Sequence, residues 1–377
     1  MTNGPPVGEV LALPPPFRGF MLSKRRSSFK SVVADSVQES VDDILSKRQV
    51  NFFSSGSTLL DLALGGGYAV GRVINIYGAE SSGKSLLALS AIRGYLEKYP
   101  DATVWYVDSE HTFNEEFADS VGIPPFDNQS RKIIDDVVTI QDFFDKMKEF
   151  HQLLRDDPDA RGILVLDSLD SLQEEENQEK EKLSTGYRTG KAKIMSNDIC
   201  PLIYKSAKEF GDRITYYIVS QARDNLRSTF VPMDTRSGGR AYRFAVSQLI
   251  HLKITGKLHK TYRGVRLVVG VTVDAVVEKN KVGPAWRKVH FPILFDSGVE
   301  DILSCTDYLE SIKSNFDFKR ITKATTKEEF ESAVSDLKAK VRDEWVDIES
   351  GLKRESSLKR SFVFEEPAST FNSRGPS

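Results

Sequence analysis

The chain has 377 residues, of which 40% are apolar and 28% charged, a balance typical of a soluble globular protein with one large domain and appendages. No stretch approaches the roughly 20 consecutive apolar residues of a membrane span, so we expect neither a membrane protein nor a membrane partner. The two cysteines, Cys200 and Cys305, are far apart in sequence, which excludes a conventional zinc module, and the formal net charge of −2 means that any nucleic-acid surface must be local.

The N-terminal segment is predicted to precede the globular core. Residues 1–31 combine the proline-rich stretch GPPVGEVLALPPPFRGF with the basic stretch SKRRSSFK, which favours a flexible arm. Residues 32–51 space Val33, Val37, Val41 and Ile44 three to four apart, which predicts a short amphipathic helix and a linker. This helix could dock on a neighbouring subunit or cover the core of its own chain.

Residues 52–308 alternate apolar strands with helices, which predicts an α/β core. Such alternation is typical of a mostly parallel central sheet with helices on both faces. Two later strands favour a meander that extends this sheet. The predicted strands are residues 73–77, 103–108, 163–167, 215–220, 249–254 and 265–278.

The C-terminal part is predicted to be helical and then disordered. Residues 309–356 form a short helical region, with a charged helix over residues 326–353. Residues 357–377 lack periodicity and are expected to be a disordered tail.

Residues 78–85 read GAESSGKS, which fits the phosphate-loop pattern G-x-x-x-x-G-K-[ST]. A chance glycine-rich turn would lack the strand before it and the helix after it. We expect backbone N–H groups to cradle a triphosphate, Lys84 to reach its β- and γ-phosphates, and Ser85 to bind Mg²⁺.

Three strands end in polar residues suited to hydrolysis. The strand in GILVLDSLDSL ends in Asp167, a candidate for the Mg²⁺ shell or, alternatively, a strand-end cap. Asp108 and Glu110 follow the strand in TVWYVDSEHTF; Glu110 is the candidate base, with a solvated loop acid as the alternative. The neighbouring His111 is more typical of a structural residue. Gln221, at the end of TYYIVSQARDN, could sense a γ-phosphate through its amide.

Two predicted loops are basic. Residues 182–197 contain four cations and no acid, directly after the acidic stretch QEEENQEKE, and residues 222–240 contain four arginines and a glycine pair. Alone, each loop is more typical of a solvated charged surface. Together with a phosphate loop they favour contacts to nucleic-acid phosphates.

These motifs, in order and spacing, resemble the core of the RecA recombinase family over residues 52–308. The resemblance rests on GAESSGKS, YVDSEHTFNEEFADSVGI, GILVLDSLDSL, IVSQARDN, DTRSGGRAYRFAVSQLIHLK and VVEKNKVGP. The divergent ends favour the phage UvsX-like branch.

The resemblance implies roles for individual residues. Glu110 would activate water, Ser85 and Asp167 would support Mg²⁺, and Gln221 would act as a switch between nucleotide and DNA. Asn114 and Phe117 fall where family members touch adenine. Lys279 and Lys281 match a pair that reaches the triphosphate of a neighbouring subunit, with a solvated strand face as the alternative. The phosphate loop would comprise Gly78, Glu80, Ser81, Ser82, Gly83, Lys84 and Ser85.

Both basic loops fall where the family has its DNA-binding loops, and Phe230 falls where the family has an apolar wedge between base triplets. The residues expected to contact DNA are Arg188, Lys191, Lys193, Arg223, Arg227, Phe230, Arg236, Gly238, Gly239 and Arg240.

The resemblance therefore implies an ATP- and Mg²⁺-dependent recombinase, an ATPase stimulated by single-stranded DNA. It would form homo-oligomeric helical filaments on single-stranded DNA, pair with homologous duplex DNA and exchange strands in recombination, repair and recombination-dependent replication. A single-strand-binding protein or a loader could be a further partner, and the cytoplasm of a bacterial or phage-infected cell is the expected location. The alternative is a regulatory or repair-paralogue ATPase without strand exchange; a helicase ring ranks last.

Overall fold

The computed structural model describes residues 50–127, 129–174, 189–222 and 239–362. In chain order the strands are β1 (Phe52–Phe53), β2 (Tyr68–Ala69), β3 (Val73–Gly78), β4 (Thr103–Asp108), β5 (Arg131–Ile134), β6 (Gly162–Asp167), β7 (Ile214–Gln221), β8 (Gln248–Tyr262), β9 (Val265–Asn280), β10 (Arg287–Leu294) and β11 (Gly298–Val299). The helices are α1 (Thr58–Leu64), α2 (Lys84–Lys98), α3 (Glu115–Ser120), α4 (Ile140–Asp156), α5 (Thr189–Ile194), α6 (Cys200–Glu209), α7 (Gly239–Ala245), α8 (Asp301–Ser311), α9 (Lys319–Thr322) and α10 (Lys327–Phe362), with a π-helical turn at Met195–Ile199.

Within these residues a nine-stranded sheet has the order β11-β10-β9-β8-β3-β7-β6-β4-β5. In this order, every neighbouring pair from β8-β3 to β4-β5 is parallel. The remaining pairs, β11-β10, β10-β9 and β9-β8, are antiparallel. The predicted α/β core with an antiparallel extension is confirmed. No helix in the described ranges is long and apolar enough to cross a membrane.

Helices cover both faces of the central strands, because successive strand residues point to opposite sides. Ile74 and Ile76 of β3 pack in one buried cluster with α1, α2, α8 and α10. Val73 and Tyr77 of the same strand pack in a second cluster with α4, α6 and α7. Burial on both faces explains why these strands read as continuous apolar runs.

The register of the parallel strands brings their carboxyl ends to one edge of the sheet. Gly78 of β3 lies opposite Gln221 of β7, and Asp108 of β4 lies opposite Asp167 of β6. Ligands of open α/β sheets bind at this edge.

The strands β8 and β9 extend beyond this edge as a hairpin. β3 ends opposite Leu252 and β10 ends opposite Gly270. Arg263 and Gly264, with φ angles of 48° and 83°, form the two-residue turn of the hairpin, and this left-handed pair suits the twist of the flanking strands.

Two parts of the sequence prediction differ from the structure. The end of the first basic loop is helical, because Met195 and Ile199 are fully buried in the second cluster. The C-terminal helix continues to Phe362, past the predicted end at residue 353, so residues 357–362 of the expected tail are helical. Residues 1–49 and 363–377, including the predicted flexible N-terminal segment and amphipathic helix, lie outside the described residues.

Candidate nucleotide site

Glycines shape the loop between β3 and α2 at two crowded positions. A Cβ atom at Gly78 would lie 2.5 Å from the carbonyl oxygen of Leu252. A Cβ atom at Gly83, whose φ is 87°, would lie 2.6 Å from Cδ1 of Ile293. The loop can therefore follow this path only with glycine at both positions.

The start of α2 is open to an anion. Gly83 caps the helix without a side-chain hydrogen bond, so no cap side chain covers the N–H groups of the first turn. Nζ of Lys84 donates to the carbonyl oxygen of Ala79 at 2.7 Å, and Oγ of Ser82 donates to the same oxygen at 2.8 Å. Burial lowers the pKa of Lys84, while the nearby Asp167 and Glu110 oppose the shift. An uncapped helix N-terminus beside a half-buried ammonium fits a triphosphate.

Asp167 lies buried at the end of β6, next to the phosphate loop. The hydroxyl of Tyr106 donates to its Oδ2 at 2.7 Å, and Ser85 forms a side-chain hydrogen bond with it. Burial raises the pKa of Asp167, and these hydroxyl contacts act against the rise. A carboxylate and a serine hydroxyl in contact are a donor set that fits Mg²⁺, which takes few protein oxygens and keeps waters or phosphate oxygens.

Glu110 follows β4 and contacts residues at the carboxyl ends of β6 and β7. Oγ of Ser168 donates to its Oε1, and Nε2 of Gln221 donates to the same oxygen at 3.3 Å. The backbone N–H of Gln221 donates to Oδ2 of Asp170 at 2.6 Å. The residue predicted as the base and the residue predicted as the switch are therefore in contact.

Asp108 has a different part in the same region. It accepts hydrogen bonds from the backbone N–H groups of Thr112 at 3.2 Å and Phe113 at 2.8 Å. Its carboxylate thus holds the loop that carries Glu110. His111, within that loop, is exposed and has a φ of 54°, which is typical of a turn residue.

A cleft of about 510 Å³ brings most predicted nucleotide-binding residues together. It is lined by Glu80, Ser81, Gly83, Lys84, Ser85, Glu110, Phe117, Asp167 and Gln221, and also by Leu86, Ile293 and Phe295. The sequence analysis missed Ile293 and Phe295. They lie at the end of β10, far from the phosphate loop in sequence. Apolar residues at the end of a strand give no sequence signal that they will line a nucleotide cleft.

Asn114 does not line the cleft with Phe117. Its Oδ1 accepts a hydrogen bond from the backbone N–H of Phe117 at 3.0 Å, so Asn114 is the N-cap of α3. The side chain itself is exposed. Asn114 therefore caps the helix that brings Phe117 to the cleft.

Lys279 and Lys281 lie at the opposite edge of the sheet from the phosphate loop. Asn280, between them, lies opposite Gln248, which pairs with Ile74 near the start of β3. Nζ of Lys279 donates to the carbonyl oxygen of Arg243 at 2.5 Å, and Nζ of Lys281 donates to that of Phe244 at 2.6 Å. Both lysines thus cover the C-terminal end of α7, where cations are favoured. Burial, with the nearby Lys281 and Arg243, lowers the pKa of Lys279 to about 8.

The described residues of the two predicted DNA loops correct their assignment as loops, while their expected contact with DNA stays a prediction. Lys191 and Lys193 lie on α5, and Gly239 and Arg240 begin α7, so these four residues are helical. Nζ of Lys191 donates to the carbonyl oxygen of Leu169 at 3.1 Å, whereas Lys193 is exposed. The remaining candidates lie outside the described residues: Arg188, Arg223, Arg227, Phe230, Arg236 and Gly238.

The comparisons with known proteins point to one family. The family model for the RecA N-terminal domain matches residues 30–300. Protein RecA of Prochlorococcus marinus strain MIT 9303 is 30% identical over 269 residues, which cover 70% of this chain and 65% of that protein. Protein RecA of Rippkaea orientalis is 32% identical over 267 residues, covering 70% of each chain. Protein RecA of Synechococcus sp. strain CC9311 is 30% identical over 269 residues, covering 70% of this chain and 64% of that protein. The chain thus covers slightly less than two thirds of the length of the Prochlorococcus and Synechococcus relatives.

Proposed function

The chain belongs to the RecA family, and from this membership we propose that it is an ATP-dependent DNA recombinase. In this proposal it polymerises on single-stranded DNA, hydrolyses ATP when DNA is bound, and promotes homologous pairing and strand exchange with duplex DNA. The phage branch remains a prediction.

The contact between Gln221 and Glu110 carries the proposal. Glu110 lies in the cleft with Lys84 and Asp167, while Gln221 is the last residue of β7. The basic segment 223–238 follows almost directly in the sequence. A hydrogen bond between the two side chains therefore offers a short physical connection between hydrolysis and a DNA loop.

In the proposed reaction the side chains of the cleft divide the work. Lys84 and the N–H groups at the start of α2 hold the triphosphate, and Phe117 offers its ring to the base. Ser85 and Asp167 hold Mg²⁺, which neutralises charge on the phosphate oxygens when bound. Glu110 accepts a proton from the attacking water, and Ser168 and Gln221 orient its carboxylate.

The proposed active site is completed by a second copy. Lys279 and Lys281 lie at the edge away from the cleft of their own chain, so they cannot contact the nucleotide bound there. A neighbouring subunit stacked on this edge would present its own triphosphate to them. ATP would then strengthen the contact between subunits, and hydrolysis would weaken it.

Basic loops that contact phosphates do not read base edges, so we expect sequence-tolerant binding of single-stranded DNA that weakens steeply with salt. The test is ATP turnover by the purified chain with and without single-stranded DNA. We expect strong stimulation by DNA in wild type. The variant Glu110→Gln should bind ATP without turning it over.

A regulatory ATPase of the same family would give a different result. It would hydrolyse ATP at a rate that DNA does not change, and electron microscopy with a slowly hydrolysed ATP analogue would show no filaments on single-stranded DNA. Either finding would refute the recombinase proposal.

A further inference from the structure

The three residues after β6, residues 168–170, contact both the proposed base and the proposed switch. We refer to them as the link segment. Oγ of Ser168 donates to Oε1 of Glu110, and Oδ2 of Asp170 accepts the backbone N–H of Gln221 at 2.6 Å. Gln221 in turn donates through Nε2 to the same Oε1 at 3.3 Å. The position of the link segment therefore sets where the base and the switch lie relative to each other.

The first half of the link segment is anchored to the sheet and to neighbouring hydroxyl groups. The backbone N–H of Leu169 donates to the carbonyl oxygen of Val219 at 2.9 Å. The carbonyl oxygen of Ser168 accepts hydrogen bonds from Oγ of Ser109 at 2.9 Å and from Oγ of Ser171 at 2.8 Å. The carbonyl groups of the other two link residues are held from a different direction.

Lys191 of α5 holds these two carbonyl groups. Its Nζ donates to the carbonyl oxygen of Leu169 at 3.1 Å and to that of Asp170 at 3.4 Å. Its backbone N–H donates to Oε1 of Glu174. Hydrogen bonds from an ionised donor are stronger than those between neutral groups. A residue of the first predicted DNA loop is thus tied directly to the segment that contacts the base and the switch.

The two lysines of α5 have different surroundings. Residues two positions apart on a helix do not face the same way, and Lys193 is exposed whereas Lys191 is half-buried. In the sequence, residues 175–188 separate Glu174 from α5 and include cations of the first predicted DNA loop. The contacts of Lys191 therefore join the two ends of this stretch, while Lys193 faces solvent.

We propose that Lys191 is a positioning residue that couples the first basic loop to hydrolysis, and that it acts through the link segment rather than by contacting DNA. The inference rests on the proposed function, in which this loop binds single-stranded DNA. DNA that shifts α5 moves the two carbonyl groups held by the ammonium of Lys191. The link segment then transmits this shift to Glu110 and Gln221 through hydrogen bonds that are already formed.

A direct contact between Lys191 and a DNA phosphate fits the structure less well. To reach a phosphate, the ammonium would have to leave the carbonyl oxygens of Leu169 and Asp170. Leu169 is fully buried, so its carbonyl oxygen would lose a partner that water cannot easily replace. Lys193 reaches solvent at no such cost and keeps its expected contact with DNA.

The test compares Lys191→Met with Lys193→Met as the matched variant, because each replaces one ammonium of α5 by an unbranched side chain. ATP turnover is measured against the concentration of single-stranded DNA, and DNA affinity is measured by fluorescence anisotropy at several salt concentrations. For Lys191→Met we expect kcat at saturating DNA to fall about tenfold, with DNA affinity and salt slope like those of wild type.

Lys193→Met should show the opposite pattern. Its DNA affinity should fall, and the slope of log affinity against log salt should become shallower by about 0.7, because one phosphate contact to a single strand is lost. Its kcat at saturating DNA should stay near that of wild type. Lys191→Arg keeps a charged donor and should restore most of the kcat that Lys191→Met loses.

Two measurements test the path through the link segment. The loss caused by Lys191→Met should be smaller in a Ser168→Ala background than in wild type, because the two residues act on the same carboxylate. In wild type, adding single-stranded DNA should change hydrogen exchange at the amides of Leu169 and Gln221, which donate to Val219 and Asp170. This second measurement needs no variant to fold.

Three results would overturn the inference. The first is a loss of DNA affinity and salt slope in Lys191→Met like that in Lys193→Met, which would make Lys191 a phosphate contact. The second is an unchanged kcat in Lys191→Met, which would leave it a structural role alone. The third is wild-type exchange at Leu169 and Gln221 that does not respond to DNA while turnover does.

Failure of the proposed function is read separately, as wild-type turnover that single-stranded DNA does not change. The connection itself is then still tested without DNA. Lys191→Met should raise hydrogen exchange at Leu169 above that of wild type, because the link segment loses one of its anchors. Equal exchange in the two proteins would show that Lys191 does not hold this segment.

Discussion

Glu110 shows how much of a residue's role depends on neighbours that are distant in sequence. The candidate base accepts hydrogen bonds from Ser168 of the segment after β6 and from Gln221 of β7. Both hydrogen bonds end on Oε1 of the Glu110 carboxylate. The same contacts fix the direction in which the carboxylate points.

Replacing Glu110 with Gln should lower ATP turnover by at least a hundredfold, because the amide cannot accept the proton of the attacking water. ATP binding should remain, since Lys84 and the start of α2 are untouched. Turnover in single-stranded DNA and binding of a fluorescent ATP analogue measure the two effects. Ser168→Ala is the matched variant, because it keeps the carboxylate but loses one orienting hydrogen bond. Its turnover should lie between that of wild type and that of Glu110→Gln.

Lys279 gives a prediction about pH. Burial and neighbouring cations lower its pKa to about 8, so the free protein loses this charge as the pH rises above that value. A neutral amine cannot attract phosphate, so Lys279 must take up a proton before it binds a phosphate group. The association constant for ATP-dependent assembly should therefore fall above pH 8, by up to about tenfold per pH unit.

The variant Lys279→Arg separates this charge effect from other effects of pH. Arginine stays protonated beyond pH 12, so assembly by this variant should keep its strength between about pH 8 and 9.5. Light scattering at several pH values would measure assembly. Equal pH profiles for wild type and Lys279→Arg would show that Lys279 does not bind the phosphate of a neighbour.

At the scale of elements, two helix caps have different consequences. Asn114 caps α3, which carries Phe117 into the cleft, whereas Thr139 caps α4 on the other face of the sheet. Thr139 and Asp142 form a reciprocal capping box. Both caps stabilise a helix, but only the first helix contributes a side chain to the cleft.

Asn114→Ala should raise the KM for ATP several-fold with little change in kcat, because α3 frays and Phe117 loses its fixed place. Thr139→Ala is the control: it should lower the free energy of unfolding by about 1 kcal/mol without a change in KM. Steady-state kinetics and denaturant unfolding measure both variants. A large fall in kcat for Asn114→Ala with unchanged KM would argue against a role through Phe117.

The end of the first predicted DNA loop, with the residues that follow it, shows the limit of a charge pattern. Its lysines favoured an exposed loop, but Ile194, Met195 and Ile199 recur at helical spacing and pack against the second cluster. That apolar spacing was available in the sequence. The charge pattern alone did not reveal it, because a helix with one buried face keeps its cations on the other.

At the scale of the molecule, the cleft and the lysine pair lie at opposite edges of one sheet. A single chain therefore cannot bring them together, and stacked copies in the same orientation can. Such head-to-tail contacts repeat along a polymer when the rotation between copies does not close a ring.

Mixing two inactive variants tests this arrangement. Glu110→Gln keeps its lysines, and Lys279→Ala/Lys281→Ala keeps its cleft. In an equal mixture about a quarter of the neighbouring pairs combine an intact cleft with intact lysines, if head-to-tail stacking is random. ATP turnover should therefore recover to about a quarter of the wild-type rate, with each variant alone as control. If the mixture stays inactive, the lysines act within their own chain or only cap its helix α7.

The sequence by itself determined the phosphate loop, the acids at the ends of β4 and β6, and the mostly parallel core. These features are encoded locally, in glycine spacing and in apolar runs that end in polar residues, so they can be read without knowing the neighbours of each strand. Only the tertiary structure decided that Ile293 and Phe295 line the cleft, that Asn114 is a cap, and that Lys279 and Lys281 lie away from the cleft and cover α7. Strand order and register set these relations, and they join residues far apart in the chain through pairing that no local pattern specifies.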